Sequence, residues 1–224
     1  MPGQIIFHLA GQYAIVRKDN LSDTLEKAMK WSDVFQSVAP KSFSLPASLS
    51  VYQVYARSHP GFFVLKLANA ARGEGVTVLH SDDPFKVKDA VIQEYIPNPL
   101  LINGKKFDLR LYVAVTSVEP LVAYLYEEGL TRFATSDFEP PTKKNKNAQT
   151  VHLTNYSVNK GADLDISEFK WKLTDVLKYL DENYKGTARE QWKDIFAEDS
   201  PKPTKLPPVK PTKFTQQIPN IQQN

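Results

Sequence analysis

The chain has 224 residues, enough for one large domain or two small ones around a real apolar core. Hydrophobic residues at 42% and charged residues at 24% are ordinary globular values. No apolar run approaches the ~20 residues of a membrane span, so a soluble protein without a membrane partner is expected. With no cysteine there is no disulfide framework and no thiolate chemistry. No basic stretch precedes the short apolar run of the N-terminus, so no signal peptide is read and a cytoplasmic location is expected.

The net charge of +3 belongs to one end of the chain. Residues 200–224 hold Lys202, Lys205, Lys210 and Lys213 and no acid, so the remainder sums to about −1. Six prolines and a Gln/Asn-rich end predict a disordered Pro/Lys-rich tail over 199–224, either solvated alone or resting as a basic arm on an acidic polymer. No nucleic-acid partner is expected.

In chain order, residues 22–36 place Leu25, Ala28, Met29, Ser32 and Phe35 at helical spacing behind a Ser22 cap. "FSLPASLSVYQVYARSH" puts Pro46 in the first turn of a second helix, which ends near His59-Pro60-Gly61. "FFVLKLANAARGEGVTVLH" reads as a hairpin with a long glycine-bearing connection, and "AVIQEYI" as a buried strand stopped by Pro97. "INGKKFDLRLYVAV", residues 102–115, alternates as one strand, with Phe107, Leu109, Leu111, Val113 and Val115 on one face and Lys106, Asp108, Arg110 and Tyr112 on the other. Turns are expected at Asn103-Gly104 and Glu128-Gly129, with "PLVAYLYEEGLTRFAT" supplying further antiparallel strand. Residues 136–149 read as loop and "VHLTNYSV" as strand. "SEFKWKLTDVLKYLDENY" reads as a helix with Phe169, Leu173, Val176, Leu177 and Leu180 on one side. The order predicts an α+β protein with mixed and antiparallel sheets in two lobes.

Several segments carry charge where chemistry could use it. Lys66 ends a strand, and "RGEG" follows with Arg72, Gly73 and Gly75. A loop of this kind lets backbone N–H groups approach phosphate oxygens while the cations offset their charge. It is neither a Walker loop nor a Rossmann fingerprint, because a strand and not a helix follows the glycines. The proline-stopped strand "VIQEYIPNP" could read an adenine edge with its backbone, or be simply a strand. The row Lys106, Asp108 and Arg110 repeats at about 6.6 Å. It suits phosphates with a metal, but taken alone the pattern favours an ordinary solvated sheet face. Arg132 and Thr154-Asn155 are modest signals alone. His152 lacks a second ligand at metal spacing, and neither a Ser/His/Asp triad nor paired glycosidase carboxylates stand out.

Order and wording together carry more. "FSLP", "VLK…ARGEGV", "VIQEYIPNPLLINGKKFDLRLYV", "PLVAYLYEEGLTRFAT" and "HLTNYSVNK" resemble the tubulin tyrosine ligase-like family, in the branch that adds glutamate to tubulin tails. The resemblance runs from about residue 4 to about residue 180. It implies an ATP-grasp fold, ATP and Mg²⁺ as cofactors, and tubulin tails and free L-glutamate as substrates. It also implies a cytoskeletal location that could include the cilium or basal body. Position by position, Lys66, Arg72, Gly73 and Gly75 resemble the phosphate-binding lysine and loop. Gln93, Glu94, Tyr95 and Ile96 resemble the adenine hinge; Lys106, Phe107 and Asp108 the floor; Thr154 and Asn155 the far wall. Arg132, Tyr156 and Ser157, with Lys170, fall where the incoming amino acid is held. In that chemistry the γ-phosphoryl group of ATP passes to a glutamate carboxylate, and the amine of a free glutamate attacks the acylphosphate. Cations must then offset three anions in one cleft.

Two departures stand out. The family's Lys-Pro is Lys66-Leu67 here. The family's magnesium ligands, an Asp strand followed by a "Leu-Leu-Glu-Val-Asn"-like strand, have no counterpart after residue 160. The acids there include Asp175, Asp181, Glu182, Glu190, Asp194 and Glu198, in helical or polar stretches. No metal ligands are therefore assigned, and the C-terminal lobe is expected to be truncated. The expected division is 1–42, remnant of an N-terminal lobe; 43–96, central lobe; 97–198, partial C-terminal lobe; and 199–224, tail. Two functional readings stay open: a polyglutamylase-type ligase whose recorded chain is incomplete, and an inactive relative that binds nucleotide or tubulin tails.

Overall fold

The computed structural model describes residue 9 and residues 11–32, 35, 38–71, 73–155, 170–184 and 188–194. The chain divides into two compact units, 1–176 and 177–224. The expected tail, Arg72, Tyr156, Ser157 and Phe169 lie outside the described residues. Among the described residues no helix is long and apolar enough to cross a membrane.

The first unit opens with a single turn, α1 (Tyr13–Val16), and α2 (Lys18–Met29). The helix thus starts four residues before the expected Ser22 cap and stops well short of Phe35. Its start is set by Asp19, whose carboxylate accepts from the Asn20 N–H at 2.9 Å and pairs with Arg17 at 2.6 Å. Acid in the first turn suits the helix N-terminus. The expected stripe of Leu25, Ala28 and Met29 is half-buried.

Four antiparallel strands form the first sheet in the order β1-β4-β2-β3: β1 (Ser42–Leu45), β2 (Phe62–Leu67), β3 (Val76–His80) and β4 (Ala90–Glu94). "FSL" is therefore strand, since Phe43 pairs with Ile92. Helix α3 (Leu49–Ser58) begins after Pro46 and not around it, and ends where expected, just before His59. Tyr52 and Ala56, one turn apart, are buried on the sheet. They meet Phe43, Leu45, Phe63, Leu79 and Ile92 in one core. The predicted β2–β3 hairpin is present, with Phe63 opposite Leu79 and Lys66 opposite Val76. Period-two alternation sends Phe63 and Leu65 to α3, leaving Val64 and Lys66 on the other face.

A second antiparallel sheet runs β10-β9-β6-β5: β5 (Leu101–Ile102), β6 (Lys105–Arg110), β9 (Leu130–Phe133) and β10 (Lys170–Lys172). The β5–β6 turn is the expected one, with Asn103 at φ 51° and Gly104 at φ 74°. The single strand expected through residue 115 is instead two. β6 ends at Arg110 and, among the described residues, β7 (Val113–Val118) pairs only with β8 (Leu121–Leu125) in a separate hairpin. Its partners differ from those of β6, so the chain leaves one sheet at Leu111-Tyr112 to enter another. The apolar face expected to be covered is consequently open, with Leu109 43% and Val113 60% exposed. Where β8 returns to β9, a side chain at Gly129 would put its Cβ 2.9 Å from the Arg110 carbonyl oxygen, an approach that only glycine permits.

Two further expectations are corrected. "VHLTNYSV" begins with a short helix, α4 (Gln149–His152), and residues 153–155 follow as coil. The helix expected over "SEFKWKLTDVLKYLDENY" starts only at Leu173, as α5 (Leu173–Asn183), because Lys170–Lys172 pair with β9. Its first turn is capped from afar: Glu128 accepts from Thr174 Oγ1 at 2.9 Å and from the Gly129 N–H at 2.9 Å. In the second unit, Arg189 on α6 (Ala188–Asp194) pairs with Asp181.

Candidate functional site

Alternation along both sheets sends a set of polar side chains into one cavity of about 340 Å³ in the first unit. The first sheet contributes Val64, Lys66, Val76 and Val78; the second contributes Lys106, Asp108 and Arg132; Tyr95, His152, Leu153, Thr154 and Asn155 close it, with Ala70, Ala71, Gly73 and Glu74 of the β2–β3 connection. Residues from six separate segments meet here, as the sequence expected for Lys66, Gly73, Tyr95, Lys106, Asp108, Arg132, Thr154 and Asn155. Gly75, Gln93, Glu94, Ile96, Phe107 and Lys170 do not line it.

Two half-buried lysines dominate the electrostatics. Lys66 donates to the Gln93 side-chain oxygen at 2.6 Å, and Gln93 is in turn held by Ser42 Oγ at 2.8 Å. Burial, then the nearby charge of Lys18, lowers the Lys66 pKa. Burial, then Lys66, lowers that of Lys106, with Asp108 acting in the opposite direction. Cations crowded together and taken from water favour an anionic ligand, because the anion relieves both penalties. Lys18 is a third ammonium on the cavity wall that sequence reasoning did not identify. It donates to the carbonyls of Leu67, at 3.1 Å, and of Ala70, while Arg17 Nη1 donates to Asn69 Oδ1 at 2.9 Å. Its signal was there in the pair Arg17-Lys18 directly ahead of an amphipathic helix.

The loop these residues hold depends on glycine. Gly73 and Gly75 have φ of 87° and 66°, where an L side chain is strained. A Cβ on Gly75 would also stand 2.6 Å from Leu67 Cδ1.

The proposed hinge has a different internal economy from the one its wording suggests. The N–H groups of Glu94 and Tyr95 donate to the carbonyls of Lys41 and Phe62 at 2.9 and 3.0 Å, so those two donors are used within the fold. The Glu94 carboxylate accepts from Tyr55 Oη at 2.5 Å on the α3 side, and Ile96 is 54% exposed. Tyr95, by contrast, is buried and points to His152, its hydroxyl 2.9 Å from His152 Nδ1. Lys106 Nζ lies 3.4 Å from that hydroxyl and 3.2 Å from the His152 carbonyl oxygen.

Across the second sheet, Lys170 is opposite Arg132 and Arg132 opposite Asp108. Arg132 binds Asp108 through two nitrogens, Nε at 2.8 Å and Nη2, a forked, charge-assisted pair. A ligand carboxylate would thus meet a guanidinium already fixed in direction. Arg110, the third member of the expected row, does not line the cavity.

A cavity of about 350 Å³ on the α3 side of the first sheet lacks this character. Its charged lining includes Asp82 and Asp83, and Asp83 is already paired with Lys146 at 2.5 Å. Among the described residues no group of three or more His, Asp or Glu side chains could hold a metal ion. These residues offer lysines where a hard divalent cation needs carboxylates, so they do not fit one.

The profile of the Tubulin-tyrosine ligase family matches residues 1–202. Tubulin polyglutamylase TTLL5 of Mus musculus is 36% identical over 197 residues, 83% of this chain and 15% of that protein. Tubulin polyglutamylase TTLL7 of Homo sapiens is 37% identical over 163 residues, 70% of this chain and 18% of the relative. Tubulin polyglutamylase TTLL13 of Mus musculus is 34% identical over 198 residues, 86% and 24% respectively. The chain therefore spans a quarter or less of the length of these relatives.

Proposed function

Because the chain belongs to the tubulin-tyrosine ligase family, we propose that its cavity is the nucleotide cleft of an ATP-grasp-type ligase that joins glutamate to glutamate side chains of tubulin tails. The observation that carries this is the convergence of Lys66, Lys106, Lys18 and the Gly73 loop on one buried space with Arg132 at its side. ATP would supply the phosphoryl group that activates a side-chain carboxylate. Lys66 and Lys106 would neutralise its phosphates, the Gly73/Gly75 loop would cover them, and Tyr95 and Val78 would give the base an apolar wall. Arg132, with Lys170 in register beside it, would orient the carboxylate of the incoming amino acid. In this arrangement residues 43–96 hold the upper half of the cleft and residues 97–155 the lower. The polyglutamylase relatives favour a microtubule-associated place of action. No step is assigned to Mg²⁺, whose fit fails among the described residues.

One observation favours a second reading, in which this chain binds nucleotide or tubulin tails without catalysing ligation: its described acidic residues do not cluster. Two measurements on the full chain separate the readings. A thermal shift on adding ATP that is lost in Lys106→Ala supports the nucleotide cleft, and equal shifts in both proteins refute it. ATP-dependent incorporation of labelled glutamate into microtubules supports the ligase; a clear ATP shift without incorporation supports the binding module.

A further inference from the structure

Resting on the nucleotide reading above, we propose that His152 is a positioning residue for Lys106: as the neutral, Nε2-protonated imidazole it turns a Tyr95 oxygen lone pair toward the lysine ammonium. The geometry dictates each proton. His152 Nε2 lies 3.1 Å from the Asn145 carbonyl oxygen, which can only accept, so Nε2 carries the hydrogen. In the neutral ring Nδ1 is then a lone pair, and the Tyr95 hydroxyl, 2.9 Å away, donates to it. With its hydrogen committed to His152, the phenol oxygen accepts from Lys106 Nζ at 3.4 Å. Burial pushes the Tyr95 hydroxyl up to about 12, so it remains a donor at working pH. The same histidine holds Lys106 a second time, through its backbone carbonyl at 3.2 Å. Lys106 Nζ also lies 4.6 Å from the centroid of the Tyr95 ring.

His152 is 3% exposed, and its surroundings keep it neutral. Burial lowers its pKa and Lys106 adds to that, while the Asn145 carbonyl and Glu139 act the other way. Lys146, on the wall of the adjoining smaller cavity, is paired with Asp83. Protonation would put a hydrogen on Nδ1. The Tyr95 oxygen would then accept from the imidazolium instead of donating to it, its hydrogen would no longer be fixed away from Lys106, and the ammonium would face a second cation and lose part of its hold.

The test is ATP affinity of the full chain by calorimetry from about pH 7.5 to about pH 5, spanning the ordinary histidine range. Tyr95→Phe and His152→Leu are expected to bind about tenfold more weakly at neutral pH, the scale of one lost hydrogen bond to a charged group. His152→Asn keeps an acceptor at the Nδ1 position for Tyr95 while giving up the bond to the Asn145 carbonyl, and should stay within about threefold of wild type. Wild type should lose affinity below about pH 6.5 more steeply than His152→Asn, the protonation of ATP itself being common to both. Wild-type affinity in Tyr95→Phe, a nearly isosteric change that keeps the fold, would overturn the proposal, as would parallel pH curves for wild type and His152→Asn. Absence of ATP binding by wild type at every pH would overturn the nucleotide reading instead. The relay would then be judged by imidazole nitrogen NMR, where an Nδ1-protonated neutral ring refutes it and an Nε2-protonated ring upholds the proton order.

Discussion

Replacing Gly75 by alanine should destabilise the protein by roughly 1.5–3.5 kcal/mol, and the structure supplies both parts of the sum. At φ 66° an L residue is strained by about 1–2 kcal/mol. The new Cβ would stand 2.6 Å from Leu67 Cδ1 and 2.7 Å from Cγ, so Leu67 must rotate off its preferred rotamer for about 0.5–1.5 kcal/mol more. The backbones cannot move apart to relieve the contact without stretching the 3.0 Å hydrogen bond from the Leu67 N–H to the Gly75 carbonyl. In a chain of this size each kcal/mol lowers Tm by about 2–4 °C, which gives a fall of about 3–14 °C. Urea denaturation should show a lower midpoint at an unchanged slope. Gly61→Ala is the control, because its Cβ would meet nothing within 4 Å; it should be neutral or add up to about 1 kcal/mol. Equal midpoints for the two variants would refute the claim that the 67–75 loop is held in a glycine-only conformation.

Other perturbations address other levels of the structure. Lys66→Met should weaken ATP binding by about tenfold to a hundredfold while leaving far-UV circular dichroism unchanged, since it removes a charge-assisted contact from a residue outside the α3 core. Phe63→Ala, at 1% exposure and 5.2 Å edge-on to Tyr52, should cost about 3–5 kcal/mol in urea titrations. Asp83 is held below the usual carboxylate range by Lys146 and the His80 N–H. A depressed carboxylate contributes stability that is present above its unfolded value and lost as pH falls through the folded one. Lys146→Ala should therefore lower stability at neutral pH and flatten its decline in acid; an acid limb as steep as wild type would argue that Asp83 is held by His80 alone.

What the sequence made legible was whatever a local period encodes. Tyr52 and Ala56 one turn apart, Phe63 and Leu65 two residues apart, and the Asn103-Gly104 turn all follow from neighbours along the chain. Alternation also set Lys106 and Asp108 apart from the apolar face of their strand, but it did not gather them into a site: their grouping with Lys66, Gly73, Tyr95, Arg132 and Thr154-Asn155 came from the family resemblance. The errors arose where a distant partner decides. Leu173 begins its helix because Glu128 supplies the cap and β9 claims Lys170–Lys172. Leu111 and Tyr112 leave strand because β7 pairs with β8 and not with the partners of β6. Lys18 and His152 went unassigned for the same reason: their significance lies in carbonyls and hydroxyls remote in sequence.

The β7–β8 hairpin also sets an order of local opening. Among the described residues it pairs with nothing but itself, and Val113, Val118, Leu121 and Tyr124 are each more than half exposed. A two-stranded ribbon of this kind is marginal in water. Its amides should therefore exchange with solvent deuterium through small openings, long before those of Ile92 and Phe63, which are released only when the α3 core comes apart. The molecule thus has two grades of permanence: a sheet whose lifetime is that of the whole fold, and a ribbon that opens and recloses many times within it.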